Sequence, residues 1–174
     1  MVKTVGGNDM AVTMSNHVNL VQPGFFAPEF ELENVQGGRF NLNREIKKGP
    51  IALYFYGGGW SAPCVSTLKR AQRILPEFGK REGQFAAVSP ESRALTKRLA
   101  EQEGLSFPLL VDADLATMRR YGLLNSKSER PAPYPTFLVI DRERVIRFKQ
   151  VVLEEKDRPD LDTLLNELEK YSEF

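Results

Sequence analysis

The stretch Trp60-Ser61-Ala62-Pro63-Cys64 decides the fold of this chain, together with the residues on either side of it. It is preceded by the apolar run Ile-Ala-Leu-Tyr-Phe-Tyr at 51–56 and by three glycines at 57–59. It opens a segment, 65–78, in which apolar residues recur at helical spacing. These patterns predict a buried strand, a tight loop and a helix, in that order along the chain.

Cys64 is the only cysteine among the 174 residues, and the pattern places it at or near the start of the predicted helix. A thiol at that point feels the positive end of the helix dipole and unpaired backbone N–H groups, which favour the reactive thiolate. A single cysteine also excludes an internal disulfide and a multi-cysteine metal site, so we expect no metal and no cofactor. The alternative is a structural role, since free cysteine is among the most buried residue types.

The segment around Cys64 resembles the redox motif of the thioredoxin superfamily, Trp-Cys-x-x-Cys after a buried strand, with Ser61 in place of the first cysteine. Disulfide exchange within one motif needs two thiols, so this chain cannot perform it. The spacing Ser-x-x-Cys is also similar to the peroxiredoxin motif Pro-x-x-x-Thr/Ser-x-x-Cys, whose peroxide-reactive cysteine takes the position of Cys64. The leading proline of that motif would fall at Gly57.

The resemblance extends over most of the chain. Residues 23–32, Pro-Gly-Phe-Phe-Ala-Pro-Glu-Phe-Glu-Leu, are similar to the opening of the alkyl hydroperoxide reductase/thiol-specific antioxidant proteins. Residues 134–141, Tyr-Pro-Thr-Phe-Leu-Val-Ile-Asp, resemble the strand that begins at the superfamily's cis-proline. The resemblance implies an α/β fold of thioredoxin-like, peroxiredoxin type, with a central mixed sheet flanked by helices. We expect a flexible N-terminal arm over 1–22 and one domain over 23–174.

The resemblance also implies roles for the residues near Cys64. The Ser61 hydroxyl would hydrogen-bond the thiolate, Trp60 and Gly59 would wall the pocket, and a cis Tyr134–Pro135 bond would lie beside the thiol. Each role has an alternative. Ser61 could serve as a helix cap and nothing more, or it could be an engineered replacement of a native cysteine. Trp60 could have a packing role alone. Pro135 could be an ordinary proline at the start of a strand.

One departure from the peroxiredoxin pattern concerns charge. Peroxiredoxins usually carry an arginine near the position of Tyr134, where it stabilises the thiolate and grips the peroxide. Arg130, Arg147 and Arg158 are the candidates to replace it, and the sequence does not choose among them.

The leading functional hypothesis is a one-cysteine thiol peroxidase or related thiol oxidoreductase. Its Cys64 would reduce a hydroperoxide and be recycled by an external thiol of thioredoxin or glutathione type. A second hypothesis is a redox-inactive thioredoxin-like binding module, in which Cys64 packs inside and a groove beside Pro135 binds peptides. A third is a Cys-to-Ser form of a dithiol reductase.

Composition narrows the range of partners. The 24 Lys and Arg residues nearly balance the 23 Asp and Glu residues, so no global field favours nucleic acid or an acidic membrane surface. No apolar run approaches the ~20 residues that span a bilayer. Residues 1–22 lack a continuous apolar stretch of secretory type, and together with the single cysteine this gives an expectation of cytoplasmic localisation. The resemblance leaves room for a homodimer.

Overall fold

Seven strands form one mixed sheet in the computed structural model, which describes residues 21–172. The strands are β1 (Glu31–Asn34), β2 (Arg39–Asn41), β3 (Ile51–Phe55), β4 (Gln84–Ser89), β5 (Leu109–Val111), β6 (Thr136–Ile140) and β7 (Ile146–Val151). Their order is β2-β1-β5-β4-β3-β6-β7, with β3, β4 and β5 parallel and the other pairs antiparallel. The predicted α/β architecture, with a mixed sheet flanked by helices, is confirmed.

Six α-helices accompany the sheet in the described part of the chain. They are α1 (Leu42–Glu45), α2 (Ala62–Arg73), α3 (Leu75–Lys80), α4 (Arg93–Glu103), α5 (Ala116–Arg120) and α6 (Leu161–Glu169). Two 3₁₀ turns cover Ile46–Lys48 and Glu155–Asp157. The helix that follows the glycine loop is therefore split into α2 and α3. Pro76 lies in the first turn of α3, where a proline without an N–H is tolerated.

Alternation along β3 divides the core into two layers, because successive side chains of a strand point to opposite faces. Tyr54 lies on the side that α2, α3, α4 and α6 cover, which we call the cysteine face because Cys64 packs there. Leu53 and Phe55 lie on the other side, the opposite face, which is covered by α1, α5 and the segment 21–30. All five residues of β3 are buried, as its continuous apolar run predicts.

Most residues of the predicted N-terminal arm, 1–20, lie outside the described residues. Val21 is buried in the core of the opposite face, so the packed chain includes a residue two positions before the predicted domain start. None of the described helices is long and apolar enough to cross a membrane.

Candidate active site

The structure places Cys64 in the first turn of α2, as the sequence predicts. Ser61 is the N-cap residue of this helix, with extended backbone angles, and its Oγ accepts a hydrogen bond from the Cys64 backbone N–H at 3.4 Å. Pro63 lies in the same turn, where its missing N–H leaves no helical bond unmade. The helix therefore starts here because a serine, a proline and the glycine loop before them all favour an N-terminus.

The Cys64 side chain points into the protein and not towards solvent. The residue is only 2 % exposed and belongs to the core of the cysteine face, together with Tyr54, Leu68 and Phe137. A buried thiol has contacts on all sides, so the groups that surround it decide its chemistry.

The Tyr54 hydroxyl and the Arg158 guanidinium come from distant parts of the chain and meet near Cys64. Arg158 follows the 3₁₀ turn Glu155–Asp157, and its side chain is only 10 % exposed. Its Nη1 donates hydrogen bonds to the Tyr54 hydroxyl at 2.6 Å and to the Thr67 hydroxyl at 3.0 Å. Its Nε and Nη2 donate to the Glu155 carboxylate at distances between 3.0 and 3.3 Å. One guanidinium thus joins β3, α2 and the turn before α6.

Tyr54 and Arg158 each affect the pKa of the other, and the Cys64 side chain affects both. Burial raises the pKa of Tyr54 well above its usual value, the Cys64 side chain adds to the rise, and Arg158 acts against it. Burial alone would lower the pKa of Arg158, but its bonds to Glu155 and Tyr54 and the nearby Cys64 raise it overall. Tyr54 therefore stays a neutral phenol and Arg158 stays a cation, and both lie close enough to the thiol to interact with it.

Trp60 folds back over the glycine loop. Its indole N–H donates to the Gly57 carbonyl at 3.1 Å, and a Cβ on Gly57 would lie 2.6 Å from a carbon of the indole ring. Only a glycine fits under the ring at this position. The Trp60 side chain is nonetheless 47 % exposed, and the Arg130 guanidinium stacks 5.2 Å from its ring centre.

The glycine loop at 57–59 lies against the carboxylate of Glu91 and donates a hydrogen bond to it. Gly58 has a φ of +145°, and a Cβ there would lie 2.5 Å from the Glu91 side chain. The Gly59 N–H donates to the Glu91 carboxylate at 2.8 Å. Glu91 and Trp60 line a shallow cleft of about 310 Å³ beside the loop, together with Gly59, Leu95, Leu99, Arg98, Gln102 and Arg130. The predicted pocket residues Trp60 and Gly59 thus share one cleft.

The prediction of a cis Tyr134–Pro135 bond is wrong, because the described residues contain no cis peptide bond. The backbone here is fixed by neighbouring segments: the Tyr134 N–H donates to Leu123 and the Pro135 carbonyl accepts from Val152. The Tyr134 carbonyl accepts from the Thr136 hydroxyl at 2.8 Å. Pro135 therefore lies directly before β6 with a trans peptide bond, and these backbone groups are already engaged within the chain.

The structure distinguishes the three candidate arginines by position. Arg158 joins the Cys64 cluster, Arg130 stacks on Trp60 at the cleft, and Arg147 pairs with Asp141 at 2.7 Å.

Sequence reasoning missed the roles of Tyr54, Thr67 and Glu91. A signal existed for Tyr54, because a phenol in a fully buried strand needs a hydrogen-bond partner. Thr67 and Glu91 carried no such signal, since threonine in a helix and glutamate near a helix start are both common. No group of His, Cys, Asp and Glu residues among 21–172 could hold a metal ion.

Two known proteins that are similar in sequence to this chain are named for different activities. The thiol-disulfide oxidoreductase ResA of Geobacillus thermodenitrificans is 27% identical over 128 residues, which cover 73% of this chain and 68% of ResA. Alkyl hydroperoxide reductase E of Mycobacterium tuberculosis is 28% identical over 134 residues, covering 76% of this chain and 86% of that protein.

A solved structure, that of the peroxidoxin BcpB from Mycobacterium tuberculosis, superposes with a TM-score of 0.76 at 21% identity. The match covers 86% of this chain and 97% of BcpB, so the fold is the thioredoxin-like, peroxiredoxin-type fold that the sequence predicted. The family model for the AhpC/TSA family matches residues 23–149, most of the chain and all of the site except Arg158 and its turn. The chain belongs to the AhpC/TSA family, whose members include thiol peroxidases and thiol-disulfide oxidoreductases.

Proposed function

We propose that this oxidoreductase is a one-cysteine thiol peroxidase that reduces hydroperoxides through Cys64. The observation that supports this proposal is the setting of the only thiol. Cys64 lies in the first turn of α2, against the neutral phenol of Tyr54 and the guanidinium of Arg158. A helix N-terminus, a hydroxyl donor and a nearby cation each favour a thiolate over a thiol.

The proposed reaction has two stages. The Cys64 thiolate attacks one peroxide oxygen, a sulfur–oxygen bond forms, and the oxygen–oxygen bond breaks. The leaving oxygen takes a proton from water and departs as an alcohol, or as water when the substrate is hydrogen peroxide. The sulfenic acid then condenses with an external thiol, releasing water, and a second thiol reduces the resulting mixed disulfide.

An external reductant follows from the cysteine count. With no second thiol in the 174 residues, the sulfenic acid cannot form a disulfide within the chain. We propose a reductant of thioredoxin or glutathione type, acting in a reducing, cytoplasmic compartment where such thiols are abundant.

Oxidation with chemical trapping tests the proposal. The protein is treated with a slight excess of hydrogen peroxide in the presence of a dimedone-type probe and analysed by intact and peptide mass. We expect one adduct on the peptide that contains Cys64, and none in Cys64→Ser. Because the chain also has four methionines that peroxide can oxidise, the trapped adduct and not the gain of one oxygen is the readout. A wild-type protein that forms no adduct, while its denatured form does, would exclude the peroxidase.

One observation favours a second candidate, a redox-inactive binding module. Cys64 is only 2 % exposed, as a packing residue would be. The same experiment separates the two candidates, since a packing thiol reacts with peroxide only after the protein unfolds.

A further inference from the structure

We propose that Arg158 positions the Tyr54 hydroxyl so that its hydrogen points at the Cys64 sulfur, which makes Tyr54 the fixed hydrogen-bond donor of the thiolate. The consequence for catalysis rests on the proposed function, but the arrangement itself does not. Tyr54 and Arg158 lie about a hundred residues apart, on β3 and on the segment before α6.

Counting hydrogens gives the direction of the bond. A guanidinium has five N–H donors and no acceptor, so the Tyr54 oxygen must be the acceptor in its 2.6 Å contact with Arg158. The phenolic hydrogen therefore points away from Arg158. Burial keeps that hydrogen in place by raising the pKa of Tyr54, and the nearby Cys64 side chain adds to the rise. Cys64 packs in the same buried cluster as Tyr54, so its sulfur is the partner that we assign to the phenolic hydrogen.

Thr67 is excluded as a competing partner. Its hydroxyl lies 3.0 Å from Arg158, from which it accepts, and 3.1 Å from the Pro63 carbonyl, to which it donates. Its single hydrogen is thereby used inside α2, one turn after Cys64. Arg158 therefore holds two hydroxyl oxygens at once, and only the phenol has its hydrogen left for the thiol.

Arg158 is itself held in one orientation. Its other nitrogens, Nε and Nη2, bond the Glu155 carboxylate, so the flat guanidinium cannot rotate without breaking several contacts. A lysine has no such fork, so it would supply charge without fixing the direction of the phenol. Arg158 is a positioning residue, and the group that touches the sulfur is Tyr54.

A titration of the thiolate tests this arrangement without using peroxide. Thiolate absorbance near 240 nm is followed against pH in the full chain, and the curve of the matching Cys64→Ser protein is subtracted. We expect Tyr54→Phe, which keeps the ring, to move the titration midpoint to the alkaline side by about one pH unit, or tenfold in the thiolate equilibrium. Arg158→Met should move it the same way, and the shift in the double variant should be clearly smaller than the sum of the two.

Two results would overturn the proposal. One is a Tyr54→Phe midpoint equal to that of the wild type, and the other is full additivity of the two shifts, which would mean that Arg158 acts on the thiol by itself. Tyr121→Phe is the matched control, a buried tyrosine of the opposite face that should leave the midpoint in place. If Arg158→Met does not fold by circular dichroism, Arg158→Lys replaces it and should still shift the midpoint, since the fork is lost.

The outcome is independent of the peroxidase test. Shifted midpoints with no sulfenic acid in the wild type would keep the Tyr54–Arg158 arrangement and reject the peroxidase. A trapped sulfenic acid with unshifted midpoints would support the peroxidase and reject the Tyr54–Arg158 arrangement.

Discussion

The two faces of the sheet each bury a tyrosine completely, and the two hydroxyls have different partners. On the cysteine face, Tyr54 accepts a hydrogen bond from Arg158 and interacts with Cys64. On the opposite face, the Tyr121 hydroxyl donates to the Pro28 carbonyl at 2.6 Å. Burial raises the pKa of both phenols. Burial alone therefore does not distinguish the two tyrosines, whereas the partners of their hydroxyls do.

The comparison separates chemistry from packing. A phenol that donates to a backbone carbonyl satisfies the acceptor of one loop and has no hydrogen left for a ligand. A phenol that accepts from a guanidinium keeps its hydrogen for another group. We therefore expect changes on the cysteine face to alter reactivity and changes on the opposite face to alter the free energy of unfolding.

The largest expected effect is a change of oxidation product on the cysteine face. Ser61→Cys creates a Cys-x-x-Cys motif, and its thiol would face Cys64 across the first turn of α2, where the Ser61 hydroxyl now accepts from the Cys64 N–H. We expect mild oxidation to give an internal disulfide, measured as a loss of two hydrogens by intact mass. Ser92→Cys, at the N-cap of α4, is the matched control and should form none. Failure of Ser61→Cys to close the disulfide would show that the two positions cannot reach each other.

The next effect is on stability and belongs to the opposite face. Tyr121→Phe removes the donor of the Pro28 carbonyl, so the free energy of unfolding should fall by about 1–3 kcal/mol. Urea denaturation followed by circular dichroism measures the loss. The rate of Cys64 oxidation in the folded variant should equal that of the wild type. A slower oxidation would show that the two faces are coupled.

A smaller effect is expected on stability when either of two helix-capping serines is replaced. Ser61 and Ser92 each cap a helix by accepting from the N–H three residues later, at 3.4 and 3.2 Å. Replacing either one with alanine should lower the free energy of unfolding by about 0.5–2 kcal/mol. Only Ser61→Ala should also slow the alkylation of Cys64 at neutral pH. Equal alkylation rates in the two variants would limit Ser61 to a structural cap.

The smallest expected effect is a pH dependence of the free energy of unfolding, caused by one carboxyl group beside α5. Asp112 is buried, and although its carboxylate accepts from the N–H groups of Thr117 and Met118, burial raises its pKa overall. A raised pKa means that the folded state binds the proton more tightly than the unfolded state. The stability of the wild type relative to Asp112→Asn should therefore fall as the pH rises from about 4 through the raised pKa. Denaturation curves at several pH values for both proteins measure this, and parallel curves would contradict it.

Local patterns predicted much of the fold. The apolar run at 51–56 predicted the buried strand β3, and the glycines at 57–59 predicted the loop that follows it. The start of α2 beside Cys64 was predicted for the same reason, since helix caps depend on residues within a few positions. The prediction of a cis Tyr134–Pro135 bond was wrong, because it was taken from a resemblance and not from local chemistry.

The sequence by itself determined the strand–loop–helix unit that holds Cys64, the absence of a second thiol and the family of the chain. Only the tertiary structure decided that Cys64 is buried and which arginine reaches it. The selection of Arg158 depends on the packing of the turn before α6 against β3 and α2, which brings residues 104 positions apart into a hydrogen bond. Periodicity and capping act over a few residues, whereas a contact of that separation exists only once the sheet and both helices have packed together.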